Sequence, residues 1–146
     1  EHLIPHLLGM VRESGALAVQ IPLAEAMPVR QSIRTVAGRP RWRPRMSGIS
    51  RLVVGTPGFY YDLLAAAARR VVIWHTAYFH EMESHSAIVT MLESTALRPY
   101  LERIETPSDR EDFLTEVTDE VKGTYTAQQN GHVLFPFHRL FFVAYK

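Results

Sequence analysis

Apolar residues recur every three or four positions at the start of the chain, as Leu3, Leu7, Leu8 and Val11, the spacing that lays one face of a helix against a core. Residues 1–13 are therefore expected to be helical, with Gly15 where a left-handed residue stops a helix. The pattern then changes to an almost unbroken apolar run, Ala16-Leu17-Ala18-Val19-Gln20-Ile21, ended by Pro22. That run, residues 16–21, is too short for a helix and fits a strand buried on both faces, as in parallel sheets covered by helices. Residues 25–37 are weakly helical, and residues 38–55, which carry Gly, Pro and Ser with little periodicity, read as a loop.

Thr56-Pro57 supplies an N-cap and a first-turn proline for a helix carrying Phe59, Leu63 and Leu64 to about Ala68, with Arg69-Arg70 at its C-terminal end. Residues 71–80 are rich in β-branched and aromatic side chains (Val71, Val72, Ile73, Trp74, Thr76, Tyr78, Phe79) and form the second strand. Ser84 can cap a helix carrying Ile88, Met91 and Leu92. Ser108 with Glu111 makes a capping box ahead of Phe113, Leu114, Val117 and Val121, and Gly123 closes that helix. Residues 133–144 are the last strand, in which Pro136 calls for a bulge or an irregular start. The alternation of helices and strands gives an α/β fold. Because a sheet opening on a doubly buried strand has further strands on its other side, sequence upstream of Glu1 is expected as well.

Composition narrows the chemistry. The 146 residues are 47% hydrophobic and 21% charged, as in one ordinary globular domain, and the absence of cysteine excludes thiolate metal sites and thiol catalysis. No apolar run approaches the roughly 20 residues that span a bilayer, and no charged segment followed by an apolar one opens the chain. A cytoplasmic protein without a membrane partner is the expectation. His2 and His6 stand one helical turn apart, but no third ligand follows at a characteristic spacing, so solvated helix positions explain them better than a metal site.

Charge is uneven although the net charge is only +1. Residues 26–61 contain no acid and seven arginines: Arg30, Arg34, Arg39, Arg41, Arg43, Arg45 and Arg51. Either these pair with acids elsewhere, or they form a mobile element that draws an anion toward a pocket. Trp42 interleaves with them, yet the near-neutral whole and the lack of a known binding module argue against nucleic acid.

Several words are more specific. Val72-Ile73-Trp74-His75-Thr76-Ala77-Tyr78-Phe79-His80-Glu81-Met82, Leu97-Arg98-Pro99-Tyr100-Leu101, Gly131 and Phe135-Pro136-Phe137-His138-Arg139-Leu140-Phe141 follow Gly15-Ala16-Leu17-Ala18-Val19-Gln20-Ile21-Pro22 in order. Over residues 1–22 and 57–146 the chain resembles the C-terminal half of the trans-aconitate methyltransferase family, which uses S-adenosylmethionine. Residues 23–55 depart from that pattern, with Leu23-Ala24 where the family shows an acidic and amide pair, and Ser94-Thr95-Ala96 replaces its glycine-containing lead into the Leu-Arg-Pro word. The resemblance implies the C-terminal part of a Rossmann-like sheet, its last strand antiparallel and lying between the two before it, here 133–144 between 16–21 and 71–80. It also implies that the cofactor-binding half lies upstream, so this chain alone should be inactive and should hold the substrate side of the pocket.

Methylating a carboxylate needs no general base, because the nucleophile is already ionised; the enzyme must orient it against the sulfonium methyl and exclude water. A polycarboxylic acid does need cationic and hydroxyl donors converging on it, and the arginine fork matches a carboxylate best. The candidates are Arg98, Arg139, Tyr78, Tyr100, His75 and His80. Residues 81–132, far longer than a hairpin connection, are expected to form a helical lid holding Arg98 and Tyr100. Tyr78 and His80 fall on one side of their strand and His75 on the other. A module that binds a ligand or a protein without methyl transfer is the alternative. In either case an uncovered strand at 16–21 favours self-association.

Overall fold

The computed structural model describes residues 2–24, 27–49 and 54–146. In chain order the elements are α1 (Leu3–Gly9), β1 (Ala16–Pro22), α2 (Pro28–Ala37), α3 (Pro57–Ala65), β2 (Arg70–Met82), α4 (His85–Glu93), α5 (Arg98–Leu101), α6 (Pro107–Thr124) and β3 (Val133–Tyr145). The α/β alternation is as expected.

Helix starts follow local chemistry. Thr56 and Thr106 each precede a proline, and each hydroxyl accepts the N–H three residues on, from Phe59 and Asp109, at 3.1 Å. The proline gives up only a donor that the first turn could not pair. The last helix therefore begins at Thr106-Pro107 rather than at the Ser108–Glu111 box, and it runs past Gly123 until Tyr125 turns extended. Ser84 caps α4 as expected, accepting from Ala87 at 3.1 Å. The first helix is shorter than residues 1–13, and the left-handed residue after it is Ser14, at φ 64°, not Gly15. Gly15 is required for space: a Cβ there would stand 2.7 Å from Val11 Cγ1 and 2.9 Å from the Arg12 carbonyl oxygen. Pro99 stands in the first turn of α5.

The strand order is β1-β3-β2. β3 pairs antiparallel with β1 from Ala16 opposite Tyr145 to Pro22 opposite Arg139. Trp74 stacks on Phe141 and Tyr78 on Phe137, centroids 5.1 and 5.9 Å apart, so advancing along β2 retreats along β3. The last strand thus lies between the other two and antiparallel to both. β1 departs from the expected double burial: its residues alternate, Leu17, Val19 and Ile21 turning inward and Ala16, Ala18 and Gln20 exposed. An unbroken apolar run had hidden a period of two because alanine serves on an exposed face as well as a buried one. Its neighbour is antiparallel, not parallel. β3 continues through Pro136 without a break, past the end of its pairing with β1, where no N–H is needed on that side.

Two compact units divide the chain. In the first (residues 1–24, 53–78 and 137–146), α1 and α3 cover one sheet face, where Leu8, Tyr60 and Leu64 meet Leu140, Phe142 and Ala144. Tyr60 stacks on Phe142 at 5.3 Å. In the second (residues 25–52 and 79–136), the helices between β2 and β3 fold together with α2. Val29 N–H donates to Tyr125 Oη at 3.0 Å, and the Ser32 and Thr124 hydroxyls bond at 2.8 Å, joining α2 to the end of α6. Burial raises the Tyr125 phenol pKa, an effect that the Val29 N–H partly offsets. No helix among the described residues is long and apolar enough to cross a membrane.

Candidate functional site

The arginine-rich segment is an ordered series of turns, held by backbone bonds such as Trp42 N–H to Arg39 O and Arg45 N–H to Trp42 O. Its anchor is Trp42, fully buried and edge-on to Phe113 of α6. Asp109, Asp112, Phe113, Glu116 and Glu120 recur at helical spacing, so α6 presents one ridge of carboxylates beside that aromatic contact. Arg39 donates to Glu116 at 2.7 Å and to Glu120 at 2.9 Å. Arg41 reaches Asp112 at 2.6 Å and Asp109 at 2.8 Å, and Arg45 reaches Asp109 at 2.9 Å. The bonds from Arg41 and then Arg45 hold the Asp109 carboxyl below its ordinary pKa, and the partner carboxylates raise Arg39 and Arg41. Of the two sequence readings, pairing with acids elsewhere describes these three arginines; Arg51 lies outside the described residues.

Arg34 and Arg43 have a different setting. With Tyr100 they line a groove of about 410 Å³ whose other walls are Ala37, Gly38, Met46, Ser47 and Ile49. Among the described residues no carboxylate lines it. Arg34 donates to the neutral amide of Gln31 at 3.2 and 3.3 Å. Tyr100 stacks on Phe113 at 6.2 Å, so the ring that anchors Trp42 also fixes one wall of the groove. Periodicity gave no reason to separate Arg34 and Arg43 from the other arginines. The carboxylate spacing on α6 is the sequence signal that accounts for Arg39, Arg41 and Arg45.

The six side chains singled out from sequence fall in both units. In the first, Arg139 lies over the Phe137 ring at 5.5 Å and Phe137 stacks on Tyr78, forming one column on one sheet face. With its amide oxygen turned toward Arg139, Gln20 accepts from that guanidinium at 2.9 and 3.2 Å. His75 is on the opposite face, stacked on His138 with ring nitrogens 3.1 Å apart. In the second unit, exposed His80 lies near the end of β2, Tyr100 lines the groove, and Arg98 is engaged by Glu102 one turn on, at 2.8 Å. That carboxylate raises the Arg98 pKa.

Among the described residues nothing fits a methyl donor by itself. No strand leads through a glycine-rich turn into a helix: β1 is followed by Leu23-Ala24 and β2 by Glu83-Ser84, while the positive-φ glycines, Gly48 and Gly131, stand elsewhere. Nor do three or more metal-ligating side chains gather among them.

No protein-family model matches the chain. It is 39% identical over 150 residues to a trans-aconitate 2-methyltransferase of Methylobacterium radiotolerans, covering 99% of this chain and 56% of that protein. Proteins of the same name from Escherichia coli O157:H7 and Acidovorax ebreus are 38% and 40% identical over 97% of this chain, covering 54% and 55% of their own lengths. The chain spans about half the length of these curated relatives. Sheet order and chain-long similarity together make this a methyltransferase-like α/β chain. More particularly, it matches the C-terminal half of the trans-aconitate 2-methyltransferases.

Proposed function

We propose that this chain is part of a cytoplasmic methyltransferase that transfers the methyl of S-adenosylmethionine to a carboxylate of a small polycarboxylic acid such as trans-aconitate. Similarity over 97–99% of the chain to proteins of that name is the observation that carries the reading. The chain contributes the substrate side, residues 81–132 being a helical insertion in one methyltransferase domain, and the donor is held by sequence beyond these 146 residues. The candidate contacts for the acid are Arg98, Tyr100 and His80 in one unit or, in the other, Arg139 and Tyr78 on one sheet face and His75 on the opposite one, arginine by paired N–H donors and tyrosine by its hydroxyl. The ionised carboxylate attacks the methyl carbon and the sulfonium leaves as a neutral thioether, so no proton need be removed.

The test has two arms. The protein that contains this chain, given methyl-labelled donor and trans-aconitate, should form a base-labile labelled ester; none with any di- or tricarboxylate would overturn the proposal. Calorimetric titration of the 146-residue chain with S-adenosylhomocysteine should give no heat. Micromolar binding would instead put a donor site within these residues.

The proposal extends to self-association. β1 is at one end of the strand order, hydrogen-bonded only to β3 among the described residues, and such an edge offers unpaired backbone groups to a second copy.

A further inference from the structure

Arg139 is held differently from the arginines of the ion pairs. Arg39, Arg41 and Arg45 end on carboxylates of α6, and Arg98 ends on Glu102. Arg139 is held by neutral groups, and the sheet register brings them to it. Pro22 of β1 stands opposite Arg139 of β3 and Gln20 opposite Phe141, so Gln20 and Arg139 are diagonal neighbours on one face, within reach of long side chains. The Gln20 amide oxygen accepts from Arg139 Nε at 3.2 Å and from Nη1 at 2.9 Å, and the guanidinium lies over the Phe137 ring at 5.5 Å. Among the described residues no carboxylate pairs with Arg139, and its Nη2 donors meet no acceptor. Both contacts restrain the side chain and neither cancels its charge, because the amide is uncharged and an aromatic face attracts a cation without neutralising it.

We propose that Arg139 takes one carboxylate of the polycarboxylic acid and that Gln20 is a positioning residue, which fixes the guanidinium while leaving its charge uncompensated. The assignment deepens the methyltransferase reading and rests on it for the identity of the acid. The arginine fork matches a carboxylate, and a side chain clamped before the ligand arrives loses less freedom on binding. The surroundings favour the same ligand. Phe137, stacked on Tyr78, and Phe141, stacked on Trp74, flank Arg139 along the same face of β3. Arg139 is half-buried among these rings, where an ion pair is stronger than in open water. The amide at position 20 is the telling choice. A glutamate there would reach the same donors but compensate the charge, and an apolar residue would leave the guanidinium untethered.

The test uses the protein that contains this chain, with trans-aconitate as the probe. Kd is measured by equilibrium dialysis with S-adenosylhomocysteine present, for wild type, Gln20→Glu, Gln20→Met, Arg139→Lys and Ala16→Glu. Ala16, on the same exposed face of β1, controls for one added negative charge. Gln20→Glu and Arg139→Lys should each raise Kd about tenfold or more, Gln20→Met severalfold and Ala16→Glu less than twofold. The denaturant midpoint of Gln20→Glu should be equal to wild type or higher, since the substitution adds an ion pair; a glutamine with only a structural role would then leave Kd unchanged. An unchanged Kd in Gln20→Glu or Arg139→Lys, equal weakening by Ala16→Glu, or no saturation at millimolar acid would overturn the assignment. Ester formation is measured separately. If it proceeds with an unchanged KM in Arg139→Lys, the methyltransferase reading stands and the Arg139 site fails; if it is absent while the acid binds through Arg139, the reverse holds.

Discussion

Trp42 stands edge-on to Phe113, ring centroids 5.3 Å apart at 82°, and donates its indole N–H to Glu116 one helical turn further on. The most basic stretch of the chain is thereby held at its centre by an apolar contact, and the ion pairs around it fix direction rather than supply the main stabilisation. Exposed pairs contribute a few tenths to about 1 kcal/mol each, whereas truncating a fully buried tryptophan costs about 3–5 kcal/mol. Trp42→Ala should lower the denaturant midpoint far more than Arg41→Ala, and equal losses in urea titrations would contradict this ordering.

Asp109 gives the stability a pH dependence of definite sign. Its folded pKa is depressed, chiefly by the Arg41 hydrogen bond and then by Arg45, so its contribution is complete above the unfolded carboxylate value, about pH 4. It is lost as the pH falls from there through the lowered folded value. Asp109→Asn should flatten the acid limb of stability against pH below about 4, and added salt should narrow the difference from wild type. Parallel wild-type and variant curves throughout that range would exclude the coupling.

Arg98 separates binding from folding. Its partner Glu102 is 59% exposed and Arg98 itself 68%, so the pair contributes little and Arg98→Ala should leave the denaturant midpoint nearly unchanged. In the protein containing this chain the same substitution should raise KM for the polycarboxylate about tenfold while leaving donor affinity intact. An unchanged KM would remove Arg98 from the site.

The edge of β1 predicts the solution state. Light scattering at micromolar concentration should give at least twice the chain mass of 16.7 kDa, and Ala18→Lys, which adds charge to the exposed face of that strand, should shift it toward monomer. A monomeric wild type would refute pairing through β1.

Much of the fold was legible in the residues. Thr56-Pro57 and Ser84 announced two helices because capping is local chemistry, readable within four positions. The strand at 16–21 stood out as a short apolar run ended by Pro22, and that at 71–80 by its β-branched and aromatic content. Thr106-Pro107 carries the same signal as Thr56-Pro57, two residues ahead of the Ser108–Glu111 box, and both threonines cap their helices. The chain stop at Ser14 could not be read, because Gly15 satisfies a turn and a close approach equally well in sequence.

The site was legible only in residue type. Arginine and tyrosine are residue types suited to a carboxylate, and the family words point to Arg98, Tyr100, Tyr78, His75, His80 and Arg139 without saying which stand together. The sequence by itself determined helices, strands, capping and the excess of positive charge over residues 26–61, because these depend on neighbours within a turn or two. Tertiary structure decided that Arg39, Arg41 and Arg45 are held on α6 while Arg34 and Arg43 face a groove with Tyr100. It also set one face of β1 against α1 and α3 and left the other exposed. Both outcomes depend on contacts between residues tens of positions apart, and packing rather than local preference selects among them.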